Sequence, residues 1–197
     1  MEKITGSSCD IPGLLIFNLV KQEDARGYFM EKFQRAKLIG LGLLRAFWPV
    51  QQNISYNKEA GVTRGLHAEP WDKFVSVIIG KVFCAFVDLR PGKNYGKKFT
   101  IMMDDSIGIF VPKGVANSYQ TLVPDVYYSY LVSKHWSPKV IYRAVNIADP
   151  DLDIQWPIPL EKAIISDKDM KNPCLKDLQT LPGFWKRLQN WGNVKPK

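Results

Sequence analysis

A chain of 197 residues with 46% hydrophobic side chains fits one domain, residues 1–197, with enough apolar mass for a substantial core. Its net charge of +8 calls for an anionic partner, yet the 27 lysines and arginines form no block or helical stripe and no nucleic-acid-binding signature accompanies them, so no nucleic acid is expected and a phosphate-bearing small molecule is the better reading. Cys9, Cys84 and Cys174 make neither a disulfide framework nor a zinc knuckle, and no apolar leader or bilayer-length run is present, which predicts a cytoplasmic protein with no membrane partner.

In chain order, alternating or continuously apolar segments predict strands over residues 14–20, 27–33, 50–56, 73–79, 82–89, 98–103, 107–111 and 126–132. Turn residues punctuate them at Arg90-Pro91-Gly92-Lys93-Asn94, Pro112-Lys113-Gly114 and Val123-Pro124-Asp125. Helices are predicted over 35–45 and 174–191, the second from the spacing of Leu175, Leu178 and Leu181. Many short strands of this kind specify an all-β barrel or sandwich, here with a few peripheral helices and a partly helical C-terminal extension from about residue 160. No repeat or linker is visible, and Pro157-Ile158-Pro159 is too short to separate two cores.

The chemistry-bearing residues are few. His67 and His135 are the only histidines, and His67-Ala68-Glu69 lacks the second imidazole of an HxH pair, so no metal is expected. The thirteen residues from Gly61 to Lys73 gather Arg64, His67 and Lys73 beside a strongly apolar strand. A period of two puts Lys73 on the face of Val75, Val77 and Ile79, where a cation is costly unless paired or used. The same period puts Tyr128 and Tyr130 on one face and Tyr127 with Leu131 on the other. By residue chemistry alone the alternatives stay open: Lys73 can snorkel to solvent, His67 can be a satisfied strand histidine, and tyrosines are ordinary strand residues.

A series of motifs runs through the chain. Asp24-Ala25-Arg26-Gly27-Tyr28-Phe29 with Glu31 is followed by Gln51-Gln52-Asn53-Ile54-Ser55, then Arg64-Gly65-Leu66-His67 and Lys73. Val87-Asp88-Leu89-Arg90, Tyr95-Gly96, Val111-Pro112-Lys113-Gly114, Tyr130, Asn146 to Pro150, Trp156-Pro157 and Ser166-Asp167-Lys168-Asp169 come after. Each is weak alone; in this order and spacing, from about Gly13 to Leu175, they resemble the dTDP-4-dehydrorhamnose 3,5-epimerase family. Two departures stand out. Many members carry His-Tyr-Gln where this chain has His67-Ala68-Glu69, and Gly-Phe-Ala-His-Gly-Phe where it has Gly114-Val115-Ala116-Asn117-Ser118-Tyr119.

The resemblance implies a cupin-type β-jelly roll and cofactor-free epimerisation at C3 and C5 of a dTDP-linked 4-keto-6-deoxy sugar, a step of dTDP-rhamnose biosynthesis. It assigns the base to His67, its orienting carboxylate to Asp169, enolate stabilisation to Lys73 and the acid to Tyr130. Substrate contacts are expected from Arg26 and Arg64 at the pyrophosphate, from Phe29, Glu31, Gln51 and Asn53 at the nucleoside, from Trp136 at the base, and from Glu69, Asn117 and Lys168. It also implies a homodimer whose exchanged N-terminal strand brings Arg26 and Phe29 to the neighbour's site. Epimerisation of a single carbon on a related sugar nucleotide, and a non-catalytic sugar-nucleotide-binding cupin, are the alternatives. Arg64 and His67, three apart, would point to opposite faces of a flat strand, so a shared pocket requires a bend at Gly65 or a ligand spanning the strand edge.

Overall fold

The computed structural model describes residues 3–140 and 142–180. Its strands are β1 (Thr5–Ser8), β2 (Leu15–Asn18), β3 (Lys21–Asp24), β4 (Gly27–Met30), β5 (Gln51–Asn57), β6 (Val62–Ala68) and β7 (Lys73–Ile79). Further on come β8 (Val82–Asp88), β9 (Lys98–Met103), β10 (Ile107–Val111), β11 (Val115–Thr121), β12 (Val126–Val132), β13 (Arg143–Ala144) and β14 (Ile164–Ile165). The helices are short: α1 (Arg35–Gly40), α2 (Asp167–Met170) and α3 (Leu175–Thr180).

One sheet runs β1-β2-β10-β7-β12-β5; the other runs β13-β6-β11-β8-β9, with β14 parallel to β6, and β3 and β4 form a separate hairpin. The antiparallel pairs are nested: β8 with β9, β7 with β10, β6 with β11 and β5 with β12. Such nesting, one long hairpin rolled into two facing sheets, is a jelly roll. Ile16, Val75, Val77, Ile109 and Tyr128 of the first sheet meet Val82, Cys84, Phe86, Val115 and Tyr119 of the second in the barrel interior.

Both outer faces are covered as well. Phe17, Phe74 and Phe110 pack under Leu38, Leu43 and Phe47 around α1, while Phe83, Ala85 and Val87 pack under Val145, Ile147, Leu152 and Leu178. This explains why 82–87 is continuously apolar: every residue of β8 is buried, whichever face it takes.

Several expectations are adjusted. Strands β6 and β11 lie outside the predicted segments, and in β11 Asn117, Ser118, Gln120 and Thr121 make a polar stretch. Despite that, β11 is a strand and lies almost wholly buried, since these side chains find partners. Ser118 Oγ donates to the Arg64 carbonyl at 2.6 Å, Gln120 Nε2 donates to Thr63 Oγ1 and the Ile158 carbonyl, and Thr121 Oγ1 donates to the Glu59 carbonyl. Ile79 was placed on the Lys73 face, but the β7–β12 register slips between Tyr127 and Tyr128, and Ile79 ends 57% exposed. Helix α1 stops before Arg45, because Gly42 turns the chain with a positive φ of 104°. The 174–191 helix is seen as α3, with Leu178 buried; Leu181 and the remainder lie outside the described residues. None of the helices among the described residues is long and apolar enough to cross a membrane.

Candidate active site

The site begins with a defect in β6. His67 pairs with Asn117 and Arg64 with Tyr119 across the β6–β11 ladder, so Gly65 and Leu66 together face Ser118 alone. One extra residue reverses the alternation, and Arg64 and His67 line the same cavity despite being three apart. Gly65 makes this possible: its φ is +129°, and a Cβ there would sit 2.4 Å from Ser118 Cβ. Gly65→Ala is therefore expected to cost about 3 kcal/mol of stability or more and to strip activity even at temperatures where the variant stays folded. Denaturant titration and turnover measured together check it; a stable, fully active variant would show the bulge to be dispensable.

The cavity encloses about 540 Å³ and lies where the two sheets open. From β6 it is lined by Thr63, Arg64 and His67, from β11 by Asn117 and Tyr119, from β12 by Tyr128 and Tyr130, and from the start of β7 by Lys73. The parallel pairing of β14 with β6, Ile164 beside Val62 and Ile165 beside Thr63, swings α2 over the opening. Ser166 caps α2 by accepting from the Asp169 N–H, which turns Asp169 inward. Its Oδ1 lies 2.7 Å from His67 Nε2, bridging 102 residues of sequence. Burial by itself would raise the pKa of Asp169; the hydrogen bond and charge of His67, with donors at Ser166 and Gly65, outweigh it and hold the carboxyl below its usual range. The stabilisation this gives is present above the ordinary carboxylate range and is lost as pH falls through the lowered folded value.

Lys73 has a side chain only 4% exposed, and its ammonium donates to Glu69 Oε2 and Asn117 Oδ1. Tyr130 stands on the opposite sheet from His67. Burial raises its pKa most, the charge of Glu69 adds to this and Arg64 opposes it, so the phenol stays protonated beyond its ordinary range. Arg64 Nε donates to Asn57 Oδ1, which also accepts from the Tyr119 hydroxyl.

A second hollow of about 300 Å³ shares His67, Glu69 and Tyr130 with the first and extends the cleft past Gln51, Asn53, Trp71, Trp136 and Tyr142. Gln51 Nε2 donates to Asn53 Oδ1 and Gln51 Oε1 accepts from the Trp136 N–H, so three expected contacts form one edge. Lys168 is at the rim, donating to the Tyr142 hydroxyl at 2.8 Å, with the Tyr142 ring 5.5 Å from His67.

Three expected residues are not brought here within one chain. Arg26 lies exposed on the β3–β4 turn, paired with Asp24; Phe29 is 64% exposed; Glu31 pairs with Lys37 and lines a separate hollow. Conversely, Tyr119 and Tyr142 line the cleft, and the buried Asn57 holds Arg64 and Tyr119 from behind it, without any of the three standing out in the sequence. Period two from Asn53 and Ser55 points to Asn57, and from Asn117 to Tyr119, whereas Tyr142 sits in an irregular segment with no pattern to reveal it. No three His, Cys, Asp or Glu side chains gather as a metal site among the described residues.

An imidazole paired with a carboxylate, facing a phenol across a cavity that holds a buried lysine, has the groups needed to take a proton from one face of a carbon acid and return one to the other. On a jelly roll, these groups define the class of cupin-fold epimerases. The model of the dTDP-4-dehydrorhamnose 3,5-epimerase family matches residues 8–177. An RmlC homologue of Streptococcus pyogenes serotype M6 is 44% identical over 180 residues, covering 87% of this chain and 89% of its own. The dTDP-4-dehydrorhamnose 3,5-epimerase of Methanothermobacter thermautotrophicus is 34% identical, over 81% of this chain and 88% of its own. The structure of RmlC from Streptococcus suis in complex with dTDP-D-xylose superposes with a TM-score of 0.85 at 43% identity, covering 89% of this chain and 93% of that one. The chain belongs to the dTDP-4-dehydrorhamnose 3,5-epimerase family.

Proposed function

We propose that the protein converts dTDP-4-dehydro-6-deoxy-D-glucose to dTDP-4-dehydro-L-rhamnose by epimerising C3 and C5. The observation that carries this reading is the His67–Asp169 pair set across one cavity from Tyr130, with Lys73 buried in its wall. The C4 ketone acidifies both neighbouring carbons. His67 removes the proton, Asp169 stabilises the imidazolium that results, and the charge developing on the C4 oxygen is met by Lys73, an aid worth several kcal/mol in a dry site. Tyr130 then delivers a proton from the opposite face.

Arg64, exposed at the mouth and steadied by Asn57, is placed to meet the pyrophosphate with charge-assisted hydrogen bonds. The edge made by Gln51, Asn53 and Trp136 suits the nucleoside, and Lys168 guards the rim. Arg26, Phe29 and Glu31 lie away from their own cavity, which supports a homodimer in which an exchanged N-terminal strand carries them to the neighbour's. The whole chain is read as one domain with a C-terminal extension.

Asn117 favours one second reading, epimerisation of a single carbon: an amide committed to Lys73 cannot act as a base where many relatives carry histidine. Incubation with dTDP-4-keto-6-deoxyglucose in deuterated water, followed by NMR, separates the two. Deuterium and inversion at both C3 and C5 are expected; exchange at one position would establish the second reading, and none at either would overturn both.

A further inference from the structure

Both departures from the common family pattern, Glu69 and Asn117, converge on a single atom. Lys73 Nζ donates to Glu69 Oε2 and to Asn117 Oδ1, and Lys73 lines the cavity. An ammonium has three protons to give. Two are taken by these acceptors, which leaves one for a ligand oxygen in the cavity.

We infer that Glu69 is a positioning residue rather than a substrate contact: with Asn117 it aims the last N–H of Lys73 into the cavity, and its carboxylate sets a negative charge against Lys73 in the wall it shares with Tyr130. The inference rests on the proton-transfer reading above and deepens it.

The physical need is clear. A lysine 4% exposed loses most of its hydration, and a buried charge is costly unless a counter-ion and hydrogen bonds replace that hydration. Glu69, itself only 17% exposed, supplies that counter-ion at contact distance. The same charge opposes ionisation of Tyr130. Other charged and titratable groups face the two from each packed element: Arg64 and His67 from β6, Tyr119 from β11, Tyr128 from β12, and Lys168 and Asp169 from α2. Glu69 is the anion bonded to Lys73 itself, whereas Asp169 is bonded to His67.

Glu69→Gln tests this, because it keeps the shape and one acceptor while removing the charge. Turnover is expected to fall about tenfold to a hundredfold, less than losing an electrostatic donor outright, with KM little changed. Removing an anion lowers the pKa of a neighbouring phenol, here Tyr130, so the alkaline limb of the kcat profile should move to lower pH. Glu69→Asp, which restores the charge, should recover much of that limb.

A readout independent of turnover accompanies it. With 13Cζ-labelled tyrosine and Tyr130→Phe to assign the signal, the Tyr130 resonance should titrate at lower pH in Glu69→Gln than in wild type. Superimposable titrations, or a raised KM with an unshifted profile, would overturn the inference. If wild type shows no exchange into the keto sugar, the catalytic reading fails; if exchange is normal and the titrations coincide, only the role of Glu69 fails.

Discussion

His67→Asn is expected to abolish deuterium exchange at both C3 and C5 while leaving dTDP binding close to that of wild type. The imidazole is the group held against Asp169 at 2.7 Å, and an amide in its place cannot accept a proton from carbon. General-base catalysis is worth about 10²–10⁴-fold, and the proposed mechanism gives both carbons the same base, so neither should escape. Binding should persist because Arg64, the Gln51–Asn53 edge and Trp136 are held by contacts that do not involve His67. Exchange by NMR and titration calorimetry with dTDP check the two halves. Exchange at the wild-type rate would remove His67 from the role of base.

Tyr130→Phe should behave differently. Deprotonation by His67 remains possible, so solvent deuterium should still enter on the original face, while inverted product falls by about a hundredfold to ten-thousandfold. Exchange and inversion become uncoupled, which loss of the base cannot produce. The pH profile gives a second handle. Burial, aided by Glu69, raises the Tyr130 pKa, so the phenol is present below that raised value and is lost as pH climbs through it. The alkaline fall in inversion should therefore begin above the ordinary phenol range and should lose its Tyr130 component in the variant. Tyr128→Phe is the control. Tyr128 is fully buried and stacked on Tyr119 at 4.1 Å, with its hydroxyl against the buried Cys84 thiol, so removing the oxygen costs a local contact and should leave inversion near the wild-type rate. Equal inversion in Tyr130→Phe and wild type would refute the assignment of the acid.

The readings that held were those written in local pattern. The segments predicted at 73–79, 82–89 and 126–132 became β7, β8 and β12, because a period of two or a continuous apolar run is set by which faces are buried, and in a barrel covered on both sides these faces are few. The same periodicity placed Lys73 beside Val75 and Val77, and Tyr128 beside Tyr130. Where polar side chains are satisfied by long-range partners, pattern is silent. Strand β11 is not written in apolar pattern because the acceptors that license its burial, at Thr63, Arg64, Glu59 and Ile158, lie elsewhere in the chain.

By itself, then, the sequence determined the all-β class, most strands, the face carried by Lys73 and, through ordered motifs, the residues to watch. Tertiary structure decided between a bend at Gly65 and a ligand spanning the strand edge, through a bulge that turns Arg64 and His67 to one side, and only there is it seen how β14 carries Asp169, expected only from the resemblance, across 102 residues to His67. It alone showed that Glu69 and Asn117 meet at one ammonium. The reason is common to all three. Side-chain alternation is a property of neighbours in the chain, whereas register shifts, parallel pairings and shared protons are properties of neighbours in space, and no local rule relates the two until the sheets have formed.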